Sequence, residues 1–307
     1  MSIRAKLIFS VIRKKLAKFS NGNENEYIAH NLQGQSFGPD GMRKTEYVPS
    51  DGFHFIRENV NGVNLEHIYK EGSYPEKVIY QLHGGAYTMA LNDMYCSVAE
   101  KYCDNGKFEV YTVDYRVAPA DPFPAAIDDA LAGYQALLAK GYKAENIIIA
   151  GDSAGGNLAV VLTMKLRDLG MELPRALCLS SPWSDLSEVY TEAQKNNDIS
   201  FGWGNVIEMC ATGYGNGHDL KDPMISPVFG DFTGFEGLDV YISTAKGEML
   251  ERGGALLAKK LKEAGANVIY DNMNSGMHAI IVMTAMSWLP EVKTAWRNIN
   301  EYLRKMA

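Results

Sequence analysis

Six short apolar runs punctuate the chain, at residues 78–82, 108–113, 147–150, 176–179, 240–243 and 268–270. Runs such as Ile147-Ile148-Ile149-Ala150 carry no polar alternation, which is the pattern of a strand buried on both faces. Between them lie segments with apolar residues at helical spacing, at 93–103, 125–140, 158–169, 253–264 and 292–305. In the third of these, Leu158, Val161, Leu162 and Leu166 fall on one face. Strand alternating with helix from about residue 77 predicts an α/β fold, with a mainly parallel sheet covered by helices on both sides. The alternation breaks at about 183–237, a stretch that holds Trp183, Tyr190, Phe201 and Trp203. Ligands in such folds bind beyond the carboxyl ends of the strands, so this insertion is expected to fold over the sheet and shape a pocket there. Residues 20–50 are polar and glycine-rich and read as a loop or lid. The chain therefore divides into a cap or lid segment at 1–50 and a catalytic domain at 51–307 with the cap insertion inside it.

The junction at 147–160 is where chemistry is expected. A buried strand runs into Gly151-Asp152-Ser153-Ala154-Gly155 and then into a helix. This is the G-x-S-x-G pattern in the strand–turn–helix context it requires. The tight turn forces the serine into an unfavourable backbone conformation, and side-chain-free neighbours permit the close approach. The Ser153 hydroxyl is then held up at the first turn of a helix, and the Ala154 amide points the same way. After strand 78–82 comes "HGGAY", His83 to Tyr87. Gly84, Gly85 and Ala86 offer backbone amides opposite Ala154, forming an oxyanion hole with it. A serine nucleophile also needs a base and an orienting acid. Of the six histidines, His30, His54 and His67 precede the predicted sheet, His83 belongs to the glycine turn and His218 to the insertion. Only His278 follows the sixth strand, where the base belongs in the order serine, acid, histidine. Glu248 is the first carboxylate beyond strand 240–243 and is favoured as the acid over Glu251, one turn later, and Asp271.

Composition narrows the remaining choices. The chain has 307 residues, 46% hydrophobic and 22% charged, with a net charge of −7. That balance suits a globular domain and argues against a nucleic-acid partner. The four cysteines, Cys96, Cys103, Cys178 and Cys210, include no Cys-x-x-Cys pair. Cys96 and Cys103 sit about 10 Å apart along a helix, too far to bridge. Buried thiols in a reducing cytoplasm are expected, with no metal or cofactor. At the N-terminus, Ile8, Ile12, Leu16 and Phe19 share a helix face flanked by Arg4, Lys6, Arg13, Lys14, Lys15 and Lys18. The longest apolar run there, Leu7-Ile8-Phe9, is too short to span a membrane. A cap helix over the active-site mouth is the favoured reading, ahead of contact with an anionic membrane surface. In "DYRVAPADPFPAAIDD" from residue 114, the prolines fix a loop, and a pair between Asp114 and Arg116 is expected to hold it.

The motifs "HGGAY" at 83, "DYRVAPADPFPAAIDD" at 114, "GDSAGG" at 151, "SPWSDL" at 181, "GEMLERG" at 247 and "GMHAI" at 276 occur in the family order. On them the chain resembles the hormone-sensitive-lipase branch of the α/β-hydrolase esterases. The resemblance implies an α/β-hydrolase core with a cap made by the N-terminal helices and the insertion. It places the triad on Ser153, Glu248 and His278 and the oxyanion amides on Gly85, Ala86 and Ala154, with Gly84 in the turn. Two positions depart from the family pattern. Ala86 stands for the third glycine of His-Gly-Gly-Gly, at no loss of an amide, and Glu248 stands where aspartate is commoner. The expected activity is hydrolysis of short-chain carboxylic esters by a cytoplasmic enzyme, with homodimerisation open. A deacetylase, lactonase or amidase on the same triad is the alternative. A non-catalytic binder, like the plant gibberellin receptors that resemble this family, would be expected to have lost a triad member.

Overall fold

In the computed structural model, residues 1–8, 10, 11, 47–191, 194, 198, 206–275 and 277–306 are described. Eight strands form one sheet in the order β1-β2-β4-β3-β5-β6-β7-β8. They are β1 (Phe53–Val60), β2 (Val63–Lys70), β3 (Tyr74–Leu82), β4 (Phe108–Val113), β5 (Ile147–Asp152), β6 (Ala176–Ser180), β7 (Asp239–Ala245) and β8 (Asn267–Met273). From β4 to β8 every neighbouring pair is parallel, while β1–β2 and β2–β4 are antiparallel. After a helix at the N-terminus, and apart from short 3-10 turns, the helices described are α1 (Asp93–Gly106), α2 (Ala125–Ala139), α3 (Ala154–Asp168), α4 (Val206–Gly215), α5 (Glu251–Glu263) and α6 (Pro290–Leu303).

The continuous apolar runs are explained by two cores, one on each face of the sheet. Tyr80, Ile147, Ile149, Leu177, Leu179, Val240 and Ile242 join the core under α2, α3 and α5. Their chain neighbours Ile79, Ile148, Ala150, Ala176, Cys178 and Tyr241 join the core under α1 and α6. Side chains of a strand alternate faces, so a strand covered on both sides must be apolar throughout.

The sheet begins earlier than the pattern predicted. His54 lies on β1 and His67 on β2, inside the sheet rather than before it. β1 is an edge strand with only half-buried and exposed residues, so its sequence "FHFIRENV" reads as polar and gives no apolar run. β3 also starts at Tyr74, because its first residues are exposed and lie outside the run at 78–82.

The chain order puts the functional crevice between β3 and β5. β3 leads through α1 to β4 on one side, and β4 returns through α2 to β5 on the other. Neighbouring loops then diverge above the two strands, leaving the cleft where ligands bind in such sheets. The loop after β3 and the turn after β5 thus face each other.

α4 of the insertion lies against the first of these loops. The rings of Tyr214 and Tyr87 stack at 3.8 Å, and Cys210 Sγ is 3.6 Å from Thr88 Oγ1. Trp183 and Tyr190 are buried in the adjoining core, while Phe201 and Trp203 lie outside the described residues. In the proline-rich loop the Arg116 guanidinium is taken by Asp129, 2.8 Å away, rather than by the expected Asp114. Asp129 wins because α2 brings it beneath the loop, a tertiary approach that sequence proximity does not reveal.

The N-terminal helix runs over residues 3–8. Ala5 is buried and Ile8 packs on the α1/α6 core, while Ser2 hydrogen-bonds Glu291 of α6 through both its amide and its hydroxyl. Ile12, Leu16, Phe19 and the predicted lid as far as residue 46 lie outside the described residues. No helix among the described residues is long and apolar enough to cross a membrane.

One contact fixes how closely α3 packs on the sheet. A Cβ on Gly155 would stand 2.0 Å from the Leu82 carbonyl oxygen. Gly155→Ala is therefore expected to cost about 3 kcal/mol of stability or more, since backbone must move to admit the methyl. An unfolding midpoint in urea equal to wild type would contradict this.

Candidate active site

Ser153 sits between β5 and α3 with φ 52° and ψ −120°, a strained conformation for a residue with a side chain. The surrounding bonds hold it there. Its amide donates to Ser180 O at 3.0 Å, and its carbonyl accepts from Trp183 N at 3.0 Å and Asn157 N at 3.1 Å. Gly151 completes the turn, since a Cβ there would stand 2.3 Å from Gly155 O. A serine at a helix N-cap commonly caps the helix with its side chain, but Ser153 makes no such bond. Its hydroxyl is therefore not consumed by the helix.

The loop after β3 faces this turn. Gly85, Ala86 and Tyr87 have φ of 122°, 53° and 60°, three consecutive residues in a region that costs about 1 kcal/mol or more for each non-glycine. Struts from three directions hold the loop in place. Tyr115 Oη donates to His83 O at 2.6 Å, Tyr87 Oη donates to Asn157 Oδ1 at 2.7 Å, and Gly84 N donates to Tyr95 Oη at 2.8 Å. The last bond corrects one expectation: the Gly84 amide, expected among the oxyanion donors, is engaged within the fold. No acceptor among the described residues takes the amides of Gly85, Ala86 or Ala154.

His278 lies in the loop after β8, and its Nδ1 is 2.7 Å from Glu248 Oε2. Both side chains are buried, at 9% and 1% exposure. The other carboxylate oxygen of Glu248 accepts from Ala245 N at 2.7 Å, which fixes the carboxylate's plane. The next amide, Met249 N, donates to Asp198 Oδ2 of the insertion at 2.7 Å. The His278 loop is tied back towards the serine. Ala279 N donates to Ser181 Oγ at 3.0 Å, and Ser181 immediately follows Ser180, whose carbonyl holds the Ser153 amide. The two other candidate acids are committed elsewhere. Glu251 accepts from Gly247 N and Asn272 Nδ2, and Asp271 accepts from Tyr241 Oη and Asn298 Nδ2.

Three carboxylates shape the electrostatics. Burial pulls the His278 imidazole down, but the hydrogen bond and charge of Glu248, with the charges of Asp198 and Asp152, outweigh it and leave its pKa raised. Burial pushes the Asp152 carboxyl up to about 6, against the partial relief of His278 and of hydrogen bonds from Tyr95 and Gly84. Asp152, Asp198 and Tyr95 were not singled out from the sequence. Asp152 lay inside the serine motif, but its burial was not visible there. Asp198 and Tyr95 reach the site only through tertiary packing.

A family described as the alpha/beta hydrolase fold matches residues 79–282. An esterase from Acinetobacter venetianus is 31% identical over 250 residues, covering 78% of this chain and 78% of that protein. An acetyl-hydrolase from Streptomyces hygroscopicus is 32% identical over 204 residues, covering 66% of this chain and 67% of its own. A crystal structure of an esterase from the bacterial hormone-sensitive lipase family superposes with a TM-score of 0.75 at 30% identity, covering 92% of this chain and 98% of that one. The chain belongs to the α/β-hydrolase family, among its hormone-sensitive-lipase-like esterases. It is a serine hydrolase that cleaves carboxylic esters.

The Asp152 shift carries a stability signature. A carboxyl with a folded pKa of about 6 against 3.8 unfolded binds its proton more tightly in the folded state. Stability is then lost as pH rises from about 4 through 6, by about 3 kcal/mol. Asp152→Asn does not titrate, so its melting temperature relative to wild type is expected to be several degrees more favourable at pH 8 than at pH 4.5. A difference independent of pH would contradict this.

Proposed function

We propose that the enzyme hydrolyses short-chain carboxylic esters through a Ser153–His278–Glu248 triad and an acyl-enzyme intermediate. The observation that carries this reading is the buried 2.7 Å His278–Glu248 pair, whose loop is tethered beside the strained turn of Ser153. Glu248 holds the imidazole with Nδ1 protonated, so Nε2 is the nitrogen that takes the Ser153 proton. The alkoxide attacks the ester carbonyl. The amides of Gly85, Ala86 and Ala154 receive the negative oxygen on two sides, already oriented and shielded from water. His278 returns the proton to the leaving alcohol, then activates a water that releases the acid. The charges of Glu248, Asp198 and Asp152 stabilise the imidazolium formed at each transfer.

The preference for short chains rests on enclosure. Ser153 is only 7% exposed, and α4 closes on the oxyanion loop through Tyr214 and Cys210. The similar Streptomyces protein is named an acetyl-hydrolase, which favours acetyl esters and makes a deacetylase the second reading. All four cysteines are buried thiols outside any disulfide, which accords with a cytoplasmic setting.

One experiment tests the reading: hydrolysis of nitrophenyl esters from acetate to decanoate by wild type and three variants. Turnover is expected to peak at acetate or butyrate and to vanish in Ser153→Ala. Glu248→Gln is expected to lower kcat by about 10³–10⁴-fold, and Glu251→Gln by about threefold or less, because Glu251 only braces the loop backbone. Activity retained in Ser153→Ala, or a larger loss in Glu251→Gln than in Glu248→Gln, would overturn the assignment.

A further inference from the structure

The two halves of the proposed oxyanion hole come from different strands, and one buried hydroxyl bonds the residue beside each. Tyr95, on the first turn of α1, is 4% exposed. Its Oη accepts from Gly84 N at 2.8 Å and donates to Asp152 Oδ2 at 3.1 Å. Gly84 immediately precedes Gly85 and Ala86, whose amides form one half of the hole. Asp152 is two residues before Ala154, whose amide forms the other. The fit is tight, since a Cβ on Gly84 would stand 2.3 Å from Asp152 Oδ2 and 2.9 Å from Tyr95 Oη.

Tyr95 is itself fixed. Asn92 caps α1 by accepting from Met94 N, and the Tyr95 carbonyl accepts from Gln81 Nε2 at 3.0 Å, anchoring the helix start to the end of β3. The other struts act differently. Tyr115 bonds the loop alone through His83 O, and the Tyr87–Asn157 bond reaches α3 one turn beyond the serine. Tyr95 alone of the three bonds the peptide next to Gly85 and the residue next to Ser153 at once.

We propose that Tyr95 is a positioning residue, its hydroxyl setting the spacing between the Gly85–Ala86 and Ala154 amides and so their joint fit to the oxyanion. The inference rests on the triad and oxyanion reading above. Tyr95 does not touch the reacting atoms and acts through Gly84 and Asp152. Removing the hydroxyl takes one of three struts from the left-handed loop and one of the donors from the Asp152 carboxylate. A displacement of a fraction of an ångström there weakens the transition state more than the ground state, since the carbonyl oxygen moves fully into the hole only as the tetrahedral centre forms.

The test is Tyr95→Phe, with Asp152→Ala as a second variant and the double variant completing a cycle. Active sites are counted by stoichiometric labelling with a fluorophosphonate, so that kcat refers to folded, competent enzyme. For nitrophenyl butyrate, kcat per labelled site is expected to fall about 10–100-fold, with KM within about twofold. Inhibition by a trifluoromethyl ketone, which forms a bound oxyanion, should weaken in parallel, and the double variant should lose little more than the worse single one. A kcat per labelled site within about twofold of wild type, with ketone affinity unchanged, overturns the proposal. So does full additivity in the cycle. If Tyr95→Phe does not fold, the kcat-against-KM split and ketone affinity of Asp152→Ala decide by the same criteria. Turnover persisting in Ser153→Ala would instead remove the underlying triad reading. An inert Ser153→Ala beside a normal Tyr95→Phe removes only this inference.

Discussion

The backbone of α3 lies so close to the end of β3 that only hydrogen fits between Gly155 and the Leu82 carbonyl. That approach sets the Ser153 turn beside the loop that opens at His83. It also forces the sharp turn that leaves Ser153 at positive φ. The strain at Ser153, and at Ala86 and Tyr87 opposite, persists because hydrogen bonds and packing on each side over-determine the backbone. The insertion contributes to this through the Tyr214–Tyr87 stack. The insertion and the loop after β3 are thus parts of one packed unit.

Charge is arranged on the same plan. Glu248 is fixed by a backbone amide on one oxygen and lies 2.7 Å from His278 Nδ1 through the other. Asp152 is the costly member, a buried carboxylate whose ionised form is disfavoured by desolvation. Its place directly before the serine has a structural use, since it receives the Tyr95 hydroxyl and thereby braces the facing loop.

What the sequence disclosed follows from what is local. The central strands were legible because burial on both faces leaves them uniformly apolar. The serine turn and the His-Gly-Gly turn were legible because steric need selects glycine at fixed spacing. β1 was missed because it is a half-exposed edge strand that mixes polar with apolar positions, and β2 because Asn64, Glu66 and His67 interrupt its apolar residues. Glu248 could be ranked above Glu251 by its position after β7, but the reason lies in three dimensions: Glu251 turns back to the Gly247 amide. Tyr95, Asp198 and the Arg116–Asp129 pair were beyond reach. Each depends on elements far apart in the chain being packed together, and none leaves a spacing that marks it.

In the proposed mechanism the strained turn at Ser153 presents the reacting nucleophile. The direct measurement is mass-spectrometric mapping of the protein after reaction with a fluorophosphonate, with and without prior denaturation. One adduct per chain is expected, on the peptide containing Ser153, formed only by the folded protein. An adduct on another residue, or none on the folded protein under conditions where it hydrolyses esters, would contradict it.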